Sequence, residues 1–240
     1  MTRMLAIAAV AVAAAVAIAP VIAQDCKPRV PDAALAKRLC LKPEYVRIEF
    51  SAMIPGLQGG RWDLINTGIF FTDERAKIMQ MIPYENQAIS ISAPLNNPQG
   101  VKTPDDLAGK TIGVEIGGFE ERKIKELDGD LRKKGLAPMN IRTFDNFATA
   151  YQALRAGQVQ AVVSIDSVAK EYQDRGDFTR VLSGLYPTPV ALAMKNPQLA
   201  AEVAKVLNEM KRDGYYDKLF ARYGLAPFPA AEFAIKGPAQ

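Results

Sequence analysis

Thr111-Ile112-Gly113-Val114-Glu115-Ile116-Gly117-Gly118-Phe119-Glu120-Glu121-Arg122 is the stretch that decides the fold class. Its apolar, β-branched first half stops at a glycine pair, and a charged helical pattern then continues to Lys134, which reads as strand, tight turn and helix. The same rhythm continues downstream with a strand over Asn140 to Phe144, a helix over Asn146 to Ala156, a strand over Gln160 to Ile165 and a helix over Asp166 to Asp174. Another strand follows over Phe178 to Leu182. Tyr186-Pro187-Thr188-Pro189 then precedes an apolar strand, Val190 to Met194, and Pro197 opens a long helix that Gly214 ends before a last helix from Tyr215 to Tyr223.

Upstream, Pro31-Asp32 opens a short helix, and Val46, Ile48 and Phe50 alternate with Arg47 and Glu49 as in a half-buried strand. Ser51 caps a helix that Gly59-Gly60 ends, Asp63 begins a strand running into Phe71, Thr72 to Arg75 opens a helix, and Gln87 to Ala93 is a strand. Helices and strands that alternate in this way make an α/β layer. The loop Asn96 to Pro104 separates two such regions. Crossings near Ser90 to Ala93 and Val190 to Met194 place a cleft between two lobes, where small molecules bind. Trp62 and Tyr84 read as packing aromatics, and no internal repeat is visible.

Composition removes several chemistries. The chain of 240 residues has no histidine and two cysteines, so it carries no imidazole acid or base, no His-assisted nucleophile and no four-thiolate or His-ligated metal site. Its 30 Lys and Arg exceed its 26 Asp and Glu only mildly. The dense basic runs, Lys123 to Lys134 and Lys211 to Arg222, are interleaved with acids like solvated helix faces, and no nucleic-acid partner is expected.

Arg3, an Ala/Val/Ile run from Leu5 to Ala19, and Val21-Ile22-Ala23 read as a secretory signal peptide over residues 1–23, cleaved after Ala23. The run is short for a bilayer span. A periplasmic protein starting at Gln24 is expected. In that oxidising compartment Cys26 and Cys40, 14 positions apart, are expected to form a disulfide worth roughly 3 kcal/mol. The alternative is that Cys40 fills the apolar face of Leu35, Ala36 and Leu39.

Among charged residues Arg75 is the most informative. It sits in the first turn of its helix, where the macrodipole disfavours a cation, so an anion held by the guanidinium and the free amides would relieve it. Pairing with Glu74 or another surface acid is the plainer reading. Asp166 ends a buried strand, the usual place for ligands in α/β sheets, where it could take an ammonium or simply cap a helix. Gly117-Gly118 could bring backbone amides to an anion but matches no phosphate loop.

Leu57-Gln58-Gly59-Gly60-Arg61-Trp62-Asp63-Leu64-Ile65, Thr67-Gly68-Ile69, Thr72-Asp73-Glu74-Arg75-Ala76-Lys77, Pro104 to Val114 and Gly214-Tyr215-Tyr216-Asp217-Lys218-Leu219 together resemble the periplasmic solute-binding proteins (family 3 type) of polar amino-acid ABC transporters. The resemblance runs from about Asp32 to Leu225. It implies a type II periplasmic-binding-protein fold, an α/β protein of two Rossmann-like lobes on a two-strand hinge, with residues 24–92 and 191–240 in lobe one and 93–190 in lobe two. It gives Thr72 and Arg75 the α-carboxylate, Thr67, Gly68 and Ile69 backbone and hydroxyl contacts, and Asp166 the α-ammonium. Gly117, Gly118 and Phe119 complete the expected site. A monomer that delivers an amino acid or similar zwitterion to a membrane permease, with no cofactor or metal, is the implied function.

Departures from the family pattern are equally specific. Phe70 and Gly118-Phe119 stand where the family has hydroxyl residues, which makes the pocket more apolar. Cys26-Lys27-Pro28-Arg29-Val30-Pro31 runs almost directly into the first helix, so the family's first strand is missing and lobe one is expected to be incomplete. Two other readings follow: a periplasmic dehydratase-like enzyme, with Asp166, Glu115 or Glu120 as general acid, and a truncated member that binds nothing.

Overall fold

The computed structural model describes residues 32–238, so the signal peptide and Cys26 lie outside the described residues. The described chain opens with helix α1 (Asp32–Arg38) and helix α2 (Phe50–Gln58), followed by strand β1 (Leu64–Phe70), helix α3 (Asp73–Ala76) and the long strand β2 (Gln80–Ala93). A 3-10 turn over Pro104–Leu107 leads into β3 (Thr111–Glu115), α4 (Phe119–Lys133), β4 (Asn140–Phe144), α5 (Phe147–Arg155), β5 (Ala161–Ile165) and α6 (Asp166–Asp174). Strand β6 (Thr179–Met194) and helices α7 (Pro197–Arg212) and α8 (Tyr215–Arg222) follow as the last regular elements of the described residues.

All six strands join one sheet in the order β1-β6-β2-β5-β3-β4. The two longest strands tie it together: β2 pairs antiparallel with β6 over most of its length and then with β5. Parallel pairing of β3 with β4 and β5 comes from the helical crossovers α4 and α5. The strand expected over Gln87 to Ala93 therefore starts earlier, at Gln80. The two strands expected on either side of Tyr186 to Pro189 are one, because Pro189 pairs in register with Asn86 and the register shift between Gln87 and Ile89 absorbs Pro187 without ending the ladder.

Strand alternation sorts the core onto two faces. In the half made by β1, β6 and the start of β2, Ile82, Leu192 and Met194 face α1, α7 and α8. Ile65, Ile69, Met81, Ala191 and Ala193 face α2. In the other half, Ile112, Val114, Ala161 and Val163 pack with Ile124, Leu127 and Leu131 of α4, whereas Val162 and Phe178 pack with Tyr151 and Leu154 of α5. Tyr151, 1% exposed, bonds through its hydroxyl to Ser92 Oγ (2.8 Å) and Ser164 Oγ (2.9 Å), so the buried phenol has no unsatisfied polar atom.

One expected strand is not formed. Residues 41–49 are irregular, and Leu41 and Val46 are 55% and 59% exposed. Alternation describes a half-buried face, but a strand also needs a neighbour for its amides and carbonyls. Here β1 is itself the sheet edge, and no strand lies beyond it among the described residues. Helix α2 then begins at Phe50, with Glu49 at its N-cap.

Candidate ligand-binding site

Strand β1 ends at Phe70, and Thr72 caps the short helix α3, its Oγ1 accepting the Arg75 N–H at 3.2 Å. That cap aims the Arg75 side chain back over the strand end. Its Nη1 donates to the Phe70 carbonyl at 2.8 Å, and the guanidinium lies 5.5 Å from the Phe50 ring centre. The pairing with Glu74 considered from sequence does not occur: Glu74 reaches Arg122 instead, at 3.5 Å. Arg75 forms no ion pair among the described residues. Burial lowers its pKa, and the nearby Glu120 opposes that shift. A guanidinium stays charged throughout the ordinary pH range, so the site presents a half-buried cation with donors to spare.

Facing it are Gly117, Gly118 and Phe119, the turn into α4. Gly117 takes φ +77°, which only glycine adopts easily, and its N–H donates to Glu121 Oε2 at 2.6 Å. Thr72, Arg75, Gly117, Gly118, Phe119 and Arg122 line a pocket of about 640 Å³, which also receives Glu74, Glu121, Lys125 and Glu126. Thus five of the expected site residues come together across a gap of more than 40 positions in sequence. The two phenylalanines that replace hydroxyl residues find each other: the Phe70 and Phe119 rings stack at 4.5 Å and are 2% and 4% exposed.

Two buried acids stand behind this turn. Burial pushes the Glu120 carboxyl up to about 7, although its own backbone N–H and Arg75 pull the other way. Glu115, at the end of β3 and 7% exposed, is pushed up to about 8, by burial first and then by Glu120 and Glu49. Both can hold a proton near neutrality. Glu120 keeps its place because Gly118 has no side chain; a Cβ there would stand 2.6 Å from Glu120 Oε2.

The other expected residues are placed differently. Thr67 and Gly68 line a second pocket, of about 490 Å³, and not the one holding Arg75. Ile69 is fully buried in the core under α2 and lines neither pocket. The Asp166 carboxylate accepts bonds from Ser90 Oγ and, at 3.4 Å, from the Gly184 N–H, so it is held by β2 and β6; Ile165, not Asp166, is the N-cap of α6. Cys40 is exposed and unbonded among the described residues, which do not include its expected partner. Phe50, whose ring lies beside Arg75, and Glu85, which lines the second pocket, carry no sequence signal of a site: Phe50 reads as the end of a strand and Glu85 falls just ahead of one.

Residues 33–226 match the family described as bacterial extracellular solute-binding proteins, family 3. The chain is 27% identical over 195 residues to the L-cystine-binding protein TcyJ of Escherichia coli K12, covering 79% of this chain and 70% of that protein. It is 29% identical over 203 residues to the lysine/arginine/ornithine-binding periplasmic protein of the same strain, covering 79% and 75%. Among solved structures, an ancestral arginine-binding protein bound to glutamine superposes with a TM-score of 0.72 at 31% identity, over 80% of this chain and 84% of that one. The ancestral amino-acid-binding protein AncCDT-1, a precursor of cyclohexadienyl dehydratase, does so with a TM-score of 0.69 at 31% identity, over 79% and 81%. With the match spanning most of its length and the same α/β architecture beneath it, this chain belongs to the bacterial extracellular solute-binding proteins, family 3.

Proposed function

We propose that the protein captures an amino acid or a related small zwitterion outside the cytoplasmic membrane and delivers it to the permease of an ABC transporter. The observation that carries this reading is Arg75: a half-buried guanidinium with no ion pair among the described residues, set against the Gly117-Gly118 turn in a 640 Å³ pocket. A carboxylate entering there would meet a guanidinium able to donate two parallel bonds, a charge-assisted pairing stronger than a neutral hydrogen bond. Thr72 positions the arginine. Residues 24–92 with 191–240 would form one lobe and 93–190 the other, closing over the ligand as a hinge. Relatives that bind cystine, or lysine, arginine and ornithine, support the ligand class.

A screen of amino acids by thermal shift tests this directly. At least one raises the melting midpoint of the wild-type protein, and Arg75→Ala removes the rise while leaving the unliganded midpoint within a few degrees. A folded wild-type protein that no amino acid stabilises overturns the proposal. The dehydratase reading draws on one observation, two acids whose pKa values of about 8 and about 7 suit proton donation. Its test is turnover of a bound ligand that is lost in Glu120→Gln.

A further inference from the structure

Helix α2 belongs to the half of the sheet built on β1, where Leu57 packs with Ile65, Ile69 and Met81. Its N-terminus rests on the other half. Glu49, at the N-cap of α2, makes no cap bond to its own helix; its two carboxylate oxygens accept instead from Asn146 Nδ2, at 3.2 and 3.4 Å. Asn146 is the N-cap of α5, its Oδ1 accepting the Thr149 N–H at 2.9 Å, so its amide is fixed and cannot follow Glu49 when that residue moves. Ser51 lies against the turn before α4, its Cα 3.7 Å from where a Cβ on Gly117 would stand. Residues 41–49 join no strand, and these contacts hold the approach to α2 in place of a ladder.

Beneath this contact lies Glu115, 7% exposed at the end of β3. Its carboxyl accepts from the Phe147 N–H in the first turn of α5, and the acids that face it are Glu120 from α4 and Glu49 from the start of α2. The opposing cation is Arg75 of α3, which acts on Glu120. Three carboxyls against one arginine, two of them buried, cannot all ionise without strong mutual repulsion. Of the two buried acids Glu115 keeps its proton to the higher pH, about 8. Phe50 follows Glu49 directly, and its ring lies 5.5 Å from the Arg75 guanidinium, so a movement of Glu49 also uncovers that cation.

We propose that the N-terminus of α2 is a proton-dependent clasp: while Glu115 holds its proton, Glu49 stays on Asn146 and α2 closes the seam beside Arg75, and when Glu115 ionises the two carboxylates repel and α2 lifts from Asn146 and Gly117. The closed form binds one proton more than the open form at Glu115. Closure is therefore complete in mild acid and is lost as pH rises through about 8.

Pulsed electron-spin distance measurement tests the clasp, with labels at Arg47→Cys and Ala148→Cys, one on each side of the seam, in the full chain carrying Cys26→Ser and Cys40→Ser. A single short distance is expected at about pH 6.5, and a longer one that grows at least fivefold in population by about pH 9.5. Glu115→Gln and, independently, the exposed substitution Glu49→Gln each remove one of the two repelling carboxylates and keep the short distance at the higher pH. A distance that does not change with pH when both glutamates are present overturns the proposal. So does a pH-dependent lengthening that survives in either glutamine variant.

Discussion

Replacing Glu115 by Gln should change how stability depends on pH, and by a predictable amount. The folded protein holds this carboxyl at a pKa of about 8 against the ordinary 4.5 of an exposed glutamate. Between those values the folded state keeps a proton that the unfolded state has released, so stability is greatest in acid and falls as pH rises towards 8. Each unit of pH in that window is worth about 1.4 kcal/mol. Between about pH 5.5 and 8 the unfolded carboxyl is almost fully ionised throughout, while the folded one reaches half ionisation only at the end, so Glu115 alone lowers stability by about 3 kcal/mol. Glutamine has the same shape, still accepts from the Phe147 backbone and does not titrate. Urea unfolding of wild type and Glu115→Gln at a series of pH values gives a difference curve in which the surface groups cancel. The difference in favour of the variant should widen by about 3 kcal/mol across that range. A flat difference would falsify the assignment of a buried, protonated Glu115 beside Glu120 and Glu49.

Three further outcomes test the packing. Gly56→Ala places a Cβ 1.9 Å from the Trp62 ring, which cannot swing away without giving up its Nε1–H bond to the Met53 carbonyl (3.0 Å); a loss of about 2 kcal/mol is expected, with a shift in the emission of the single tryptophan, and an unchanged spectrum and stability would contradict the contact. Phe70→Ala and Phe119→Ala should each cost about 3–5 kcal/mol, and the double variant should show a coupling of about 1 kcal/mol from the stacked rings; strict additivity would mean that the rings do not touch in solution. Arg122→Ala breaks an ion pair whose partners, Arg122 and Glu74, are 44% and 69% exposed, so stability should move by less than about 0.5 kcal/mol, in contrast to the ligand response lost with Arg75.

Much of the fold could be read along the chain because its signals are local. From Thr111 to Asp174 each helix and strand lies within a residue or so of its expected bounds, since glycine pairs, an asparagine cap and apolar periodicity act over a few positions. The Thr72 cap and the Gly117-Gly118 turn, which bring Arg75 to α4, are local in the same sense. Residues 45–50 show the limit of that reading. Their alternation is genuine, but pairing depends on what lies beside them, and β1 carries the edge of the sheet.

The sequence by itself determined the α/β order, the family, and the cation and glycine turn of one candidate site, because each rests on residue types at short spacing. Tertiary structure alone decided the rest. It turned two phenylalanines 49 positions apart into a stack, gave Asp166 to Ser90 and Gly184, buried Glu115 and Glu120 until they hold protons near neutrality, and left Glu85 facing an apolar pocket beside an open strand. Burial, partners and edges are properties of neighbours in space, and a pattern along the chain carries no record of them until the sheet is assembled.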